Sequence, residues 1–520
     1  PIDCELSSWS AWGPCDPCSY QRFRSRRVER FGQFGGKPCL EALGDTETCE
    51  TSEICPEEPE AHCGSDFQCN SGRCIKQRLV CNVDNDCGDF SDEDACESDP
   101  RSPCRNHDID VSEVGRTAGQ GSNILGMQPM ASPFDNEFFN GLCERVRDGN
   151  TQTYYRKPWN VAVLTYDTKA DKTFTSIFYH DRSKLLREVY MENQNHFSAD
   201  LSLKYTPTEG SKDGFKGNLK FYYGKNKTLN AILQSSTELV SLIHLKVLMK
   251  IFYKHYNLYS NQTFLHIKGK IQLGRFQIRS RDVRLTNTFL DDLKALPAEY
   301  DKGEYFKFLE IYGTHYAVSG TVGGRYELVY VLDNYAMTQK GVTAEDVKKC
   351  LGYHLDAGIA YEKLDANLNI GGDTCKKIHL KDECKYIPEY SDDAVIDDVL
   401  SLVEGGKVDF SVKIEEMLLR RSKMVDVEDY VEWAKSLVDA PVVIQQRPSP
   451  IHTLVPVKMR DAHSKKQNLE RAVEDYITEY SVCKCEPCKN GGTLVLVDGA
   501  CTCMCSSYFK GIACQIPKST

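Results

Sequence analysis

Twenty-four cysteines in 520 residues, and the way they are bunched, limit this chain more than any other feature. Six lie between positions 4 and 55, six between 63 and 96, and seven between 483 and 514. Only Cys104, Cys143, Cys350, Cys375 and Cys384 stand in the long stretch between. Segments as short as the outer ones cannot bury enough apolar surface to fold alone and need covalent staples. An even total in dense clusters reads as disulfide modules made in an oxidising compartment, so a secreted, extracellular protein is expected. Zinc would need paired Cys-x2-Cys knuckles, and Cys15-x2-Cys18 and Cys485-x2-Cys488 lack partners of that spacing. The length calls for three or four domains, and only positions 99–482 can build a large core.

Charge and hydropathy remove two classes of function. With 64 basic and 75 acidic residues the net charge is −11, without long runs of either sign, which opposes nucleic acid as the main partner. The longest apolar stretch, "ELVSLIHLKVLMKIFY", is broken by His244, Lys246 and Lys250, so no transmembrane helix is expected. No apolar segment with basic flanks opens the chain, and a mature form without its leader is expected.

Two stretches alternate with the period of a strand. In "ADLSLKYT", Ala199, Leu201, Leu203 and Tyr205 oppose Asp200, Ser202, Lys204 and Thr206. In "GFKGNLKFYYG", Phe215, Gly217, Leu219, Phe221 and Tyr223 oppose Lys216, Asn218 and Lys220. The "PTEGSKDG" between them is turn chemistry, so a hairpin with one apolar and one polar face is expected. Positions 354–370 repeat the pattern: Leu355, Ala357, Ile359 and Tyr361, then Leu364, Ala366, Leu368 and Ile370 after a phase slip at Glu362–Lys363. An ordinary half-exposed hairpin would read the same way. Glycine pairs stand at Gly323–Gly324 and Gly405–Gly406, each beside strand-like sequence. After the second, Val408, Phe410, Val412 and Ile414 are expected to share one face of a strand. Adjacent glycines let neighbouring strands bend together, although local β-bulges have the same signature.

The cysteine-rich segments carry further signatures. Positions 3–56 hold Trp9 and Trp12 in "WSAW" and arginines at 22, 24 and 26 in "QRFRSR". Arginines at every second residue of a strand share a face and can interleave with indoles, cation over ring. This segment resembles a thrombospondin type-1 repeat, which implies bridges Cys4–Cys39, Cys15–Cys18 and Cys49–Cys55 and C-mannosylation at Trp9 and Trp12. Positions 62–97 end in the acidic loop "CNVDNDCGDFSDEDAC". Carboxylates and carbonyls at short irregular spacing suit an oxygen cage for Ca²⁺, which would also relieve their mutual repulsion. The "DCGDFSDE" core resembles a low-density-lipoprotein receptor class A repeat. That resemblance implies side-chain ligands Asn82, Asp86, Asp92 and Glu93, carbonyl ligands Leu79 and Asp84, and bridges Cys63–Cys74, Cys69–Cys87 and Cys81–Cys96. Asn82 stands where that family usually has Asp, one charge fewer. Positions 483–515, with "CKNGG" and cysteines spaced C-x2-C-x12-C-x1-C-x1-C-x8-C, resemble an EGF-like module, implying Cys485–Cys501, Cys488–Cys503 and Cys505–Cys514.

The long segment contains "YFKFLEIYGTHY" followed by "AVSGTVGGRYELVYV". The spacing Tyr305-x6-Tyr312-Gly313-Thr314-His315-Tyr316 resembles the signature of the membrane attack complex/perforin family. Alone, His315 would invite a catalytic reading, but no HExxH, GxSxG or Cys–His arrangement accompanies it, so a structural histidine and no enzyme are expected. The resemblance implies an α+β multidomain chain: a central bent antiparallel sheet with helical clusters, cholesterol-dependent-cytolysin-like, beside small disulfide-rich modules. In that family the clusters refold into β-hairpins that enter a bilayer. Leu201, Leu203, Tyr205, Phe215, Leu219, Phe221, Leu355, Ile359 and Leu368 are then the membrane-facing candidates, with Lys204, Lys216 and Lys220 toward a water-filled lumen. Each arm approaches the ~9–11 residues that a tilted strand needs to cross. The glycine pairs become hinges. The two-way pattern of "HLKVLMKIFYK", strand-like in Leu245, Val247 and Met249 yet helical in Leu239, Ile243 and Val247, suits a segment that changes state.

Two hairpins leave both outer edges unpaired in hydrocarbon, which only closure with neighbouring copies removes. The module order, ending at Thr520, resembles that of the polymerising member of the terminal complement proteins. The implied partners are the preceding terminal complement assembly, further copies in a ring polymer and the target-cell lipid bilayer. The implied location is plasma and, after assembly, the target membrane. The one cofactor implied is structural Ca²⁺ in the class A repeat. A secreted, non-lytic adhesion protein of the same fold is the alternative. Sequons at Asn226 and Asn261 mark N-glycosylation candidates. For the remaining cysteines the resemblance implies Cys104–Cys143 and Cys350–Cys375; Cys384–Cys483 is expected for the last two, because an exposed thiol is disfavoured outside the cell.

Overall fold

The computed structural model describes residues 1–59, 62–96, 101–123, 128–149, 151–170, 175–180, 201–207, 217–223, 262–351, 395–419, 427–480, 484–491, 493–497, 499–504 and 509–517. Among these residues the centre is a nine-stranded sheet. The main strands are β1 (Val161–Thr165), β2 (Thr175–Tyr179), β3 (Gln262–Ile278), β4 (His315–Asp333), β5 (Ile396–Glu404) and β6 (Val442–Pro450). Five helices matter here: α1 (Asn287–Ala295), α2 (Lys302–Tyr312), α3 (Val408–Leu419), α4 (Val427–Ser436) and α5 (Ala462–Glu479).

β3 and β4 run antiparallel from Gln262↔Asp333 to Gln277↔Ser319, with a bulge between Gln272 and Gly274. Aromatic and β-branched residues crowd both strands, the side chains that pack best on a pleated surface. Positions 263–267 of β3 are buried without interruption, as in a strand covered on both faces. Further along, buried Phe276 and Ile278 alternate with exposed Arg275 and Gln277, a strand covered on one face.

Two apolar clusters follow from this change. The first gathers Phe289, Leu293, Tyr305, Leu309, Tyr316, Val322, Ile451 and Leu469 beneath α1, α2 and α5. The second gathers Leu265, Ile267, Tyr326, Leu328, Ile414, Trp433 and Leu437 beneath α3 and α4. Half-buried Leu273 borders both. The helix ends of the first cluster are written locally: Thr286 accepts from the Phe289 N–H at the start of α1, and Asp301 from the Glu304 N–H at the start of α2.

Two expectations are corrected. Val408, Phe410, Val412 and Ile414 lie on helix α3, not on a strand. Positions four apart share a helix face, so Phe410 and Ile414 pack on the second cluster while Val408 and Val412 face solvent. The alternation was two helix faces interleaved. In the N-terminal module the bridges are Cys15–Cys49 and Cys18–Cys55, not Cys15–Cys18 and Cys49–Cys55. The reason is the turn before Gln21–Ser25, where the Cys49 N–H donates to Tyr20 O (2.9 Å). It lays 49–55 beside both turn cysteines, at Cα separations of 5.8 and 4.7 Å. The other bridges here are Cys4–Cys39, Cys63–Cys74, Cys69–Cys87, Cys81–Cys96, Cys104–Cys143, Cys485–Cys501 and Cys488–Cys503. Cys350 and Cys514 are also disulfide-bonded. Cys375, Cys384, Cys483 and Cys505 lie outside the described residues.

Candidate functional site

The two glycine pairs, far apart in sequence, meet. At Gly323 the strand β4 exchanges one neighbour for another: β6 pairs with it from His315 to Gly323, and β5 from Arg325 to Leu332. A methyl group on Gly323 would land on the Ile271 carbonyl, beside the β3 bulge. Gly405 and Gly406 end β5 at φ 86° and 89°, a region that glycine enters without steric cost. A side chain on Gly405 would stand 3.0 Å from Gly323 O.

Helix α4 closes this junction. Trp433 Nε1 donates to Gly405 O (3.0 Å), the Gly406 N–H to Ala440 O (2.8 Å) and the Lys407 N–H to Ser436 Oγ (3.1 Å). Tyr326 meets Tyr430 and Trp433 edge-on, with centroids 5.7 and 5.9 Å apart, and Arg325 pairs with Glu404. The sequence reading found the glycines but not the lid. Tyr430, Trp433 and Leu437, spaced three and four apart, were the available signal.

The tyrosine signature forms a corner below the junction. Tyr305 Oη donates to Pro297 O (2.7 Å), and Tyr312 Oη bonds Asp292. The chain turns at Gly313, and the Thr314 N–H donates to Ser122 O (3.0 Å). His315, 1% exposed, lies 2.8 Å by Nδ1 from Thr314 Oγ1. Burial, with His452 nearby, pushes its pKa down to about 3, so the imidazole is neutral at physiological pH. Tyr316 packs edge-on against Phe134 at 5.3 Å. This constellation holds a helix-to-strand corner.

In the acidic loop, Asp86 is fully buried and neither carboxylate oxygen has a hydrogen-bond partner; nor does the Asn82 Nδ2. Burial pushes Asp86 up to about 7, with Asp84 and Asp92 adding to the rise and Arg284 opposing it. Asp92 accepts the N–H groups of Asp86 and Cys87, and Glu93 those of Asn82 and Val83. Asp84 turns its carboxylate away to Arg156. A buried, donorless carboxylate among oxygen donors fits a hard cation, although among the described residues no group of three acidic, His or Cys side chains converges.

The strands Leu201–Pro207 and Gly217–Tyr223 pair antiparallel from Leu201↔Tyr223 to Pro207↔Gly217. Phe215, Leu355, Ile359, Leu368, Asn226 and Asn261 lie outside the described residues. In the N-terminal module, Arg24 lies over Trp9 and Trp12 (4.9 and 4.5 Å), Arg26 over Trp9 (4.2 Å) and Arg22 over Trp12 (5.3 Å).

Comparison with known proteins adds three domain matches: a MAC/Perforin domain at 112–486, a low-density lipoprotein receptor domain class A at 61–96, and a thrombospondin type 1 domain at 7–55. Complement component C9 of Oncorhynchus mykiss is 41% identical over 523 residues, 100% of this chain and 87% of its own. The complement component C8 alpha chain of Oryctolagus cuniculus is 32% identical, over 99% of this chain and 84% of its own. Among solved structures, GNIP1Aa from Chromobacterium piscinae aligns with a TM-score of 0.37 at 15% identity, over 72% of this chain and 57% of that one.

Proposed function

Because this chain belongs to the MAC/Perforin family, we propose that it is a pore-forming subunit of the terminal complement membrane attack complex. It polymerises on a target membrane and inserts amphipathic β-hairpins into a shared transmembrane barrel. The hairpin register carries this reading. Leu201↔Tyr223, Leu203↔Phe221 and Tyr205↔Leu219 alternate with Ser202↔Tyr222, Lys204↔Lys220 and Thr206↔Asn218. Apolar pairs on one parity suit lipid. The Lys204↔Lys220 pair costs energy where like charges sit opposite one another, and a water-filled lumen with salt screens it.

Its partners are the preceding terminal complement assembly and further copies of itself, and it acts outside the cell before entering a target bilayer. Positions 3–56, 62–97, 99–482 and 483–515 serve as thrombospondin, class A, perforin-like and EGF-like units. Asn82, Asp86, Asp92 and Glu93, with the carbonyls of Leu79 and Asp84, would hold Ca²⁺. The ion would supply positive charge that fixes the loop, and no chemistry is asked of it. Gly323–Gly324 and Gly405–Gly406 are the hinges.

Liposomes bearing the upstream complement proteins test this directly. Added protein should release trapped dye, with rings visible by electron microscopy; intact liposomes with bound protein would favour the adhesion reading instead. Cysteines at Leu219→Cys and Lys220→Cys, carrying an environment-sensitive dye, should report lipid and water respectively after assembly. Equal signals would sink the strand assignment.

A further inference from the structure

The acidic loop is gripped from outside by the large domain. Arg156 makes a bidentate pair with Asp84, 2.7 Å on each side, with side chains only 6% and 13% exposed. The same guanidinium donates to Leu142 O (2.7 Å) and lies 3.9 Å over Phe139. Arg284 donates to Asp86 O (2.7 Å) from above Phe138, and Asn287 Nδ2 donates to Cys87 O (3.2 Å). Phe138 and Trp159 of the large domain join Leu79 and Cys87 in one apolar cluster. Three large-domain side chains therefore take hold of positions 84, 86 and 87, in the midst of the oxygen donors expected to face the cation. A cation that sets the shape of these turns sets whether the donors find their acceptors. Each arginine has a carboxylate beside it, Asp84 for Arg156 and Asp135 for Arg284, so the grip does not confront the cation with uncompensated positive charge.

Resting on the reading of this module as a Ca²⁺ site, we infer that cation binding and docking of the module on the large domain are one coupled equilibrium. Arg156 and Arg284 are its positioning residues. By linkage, whatever docking gains from the ion, the ion gains from docking.

Calcium titration calorimetry on the full chain tests this with Arg156→Met, which keeps the apolar stem, and Asp84→Ala, which keeps the carbonyl. Both should bind Ca²⁺ roughly tenfold more weakly, within the usual range of coupling between sites. If Arg156→Met is not secreted, Asp84→Ala carries the test. Lys302→Met, which disturbs the opposite module interface, should bind like the parent; an equal loss there would show general destabilisation and overturn the coupling. Ca²⁺ should also slow amide exchange across 138–160 in the parent and not in the two variants. Parental binding with unchanged variants overturns the coupling alone, whereas a parent that binds no Ca²⁺ overturns the calcium reading and the coupling with it.

Discussion

The halves of the central sheet on either side of Gly323–Gly324 are built for different tasks. Below the junction, β6 and the corner at 312–316 rest on α1, α2 and α5, and the small modules clamp the same region. Glu479, buried at the end of α5, joins Lys302 (2.7 Å), Lys484 (3.1 Å) and the Val28 N–H (2.6 Å), so one carboxylate ties N-terminal module, core and C-terminal segment. Gly32–Gln33 pairs in parallel with Ala500–Cys501. Above the junction, cover comes mainly from α3 and α4, and the alternating stretches connect to the upper ends of β2, β3 and β4. The lesson is a division of labour: a clamped frame below, and above it a sheet whose junction with that frame is closed by helix α4.

Cavities should separate the halves most sharply. Phe289→Ala below and Trp433→Ala above each remove a fully buried ring, and each should cost about 3–5 kcal/mol. Phe289→Ala should impair secretion and thermal stability together. Trp433→Ala, once folded, should raise the rate of liposome leakage, because it unseals the junction. Equal leakage rates at matched stability would erase the distinction.

Acid should weaken the lower half through Glu479. Burial alone would raise its pKa, but Lys302, the Val28 N–H and Lys484 outweigh this and hold it below the usual carboxylate range. A depressed folded pKa contributes stability above the unfolded value of about 4.3 and loses it as pH falls through the folded one. Melting temperature should therefore drop as pH falls below about 4.3, while Glu479→Gln, about 1–3 kcal/mol weaker at neutral pH, should show less of that drop. Coincident pH profiles would remove Glu479 as the clamp.

The smallest effect is expected at the outermost module. Arg24→Met takes the cation from between Trp9 and Trp12 and deprives the Asp45 carboxylate of its guanidinium partner (2.7 Å). A loss of about 0.5–1 kcal/mol in the melting of that module should leave both halves of the sheet unchanged.

What could be seen in the sequence was what is encoded locally. The cysteine clusters, the acidic loop, the Trp–Arg spacing, the tyrosine signature and both glycine pairs each carry their signal within a few residues. The perforin-like fold followed from that signature and its setting. Val408–Ile414 was misread because a short apolar alternation fits both periods, and contact with the second core selects the helix. The bridges of Cys15 and Cys18 depend on which distant strand returns beside the turn, information no local spacing holds. Arg156, Arg284 and Glu479 look like any surface charges in one dimension, and only tertiary folding gives them partners.

The change of neighbour along β4 divides the sheet into two plates meeting at a joint. Among the described strands, β3 and β4 are continuous through the junction; β5 and β6 stop on either side of it, and on the opposite edge β1, the two-residue strand Lys169–Ala170 and β2 pair with β3 in succession, Lys169–Ala170 against Gln272 and Ile271. A sheet whose strands all run unbroken resists bending along each of them, whereas here two strands are continuous across the joint and their neighbours on both edges are separate pieces. Torque applied to the upper plate is thus carried across the joint mainly by the long β3–β4 ladder, itself interrupted by a bulge, with the short Lys169–Ala170 ladder beside it. A turn of the upper plate about the proposed hinge would leave the clamps on the frame in place, and its stiffness would be set at this joint.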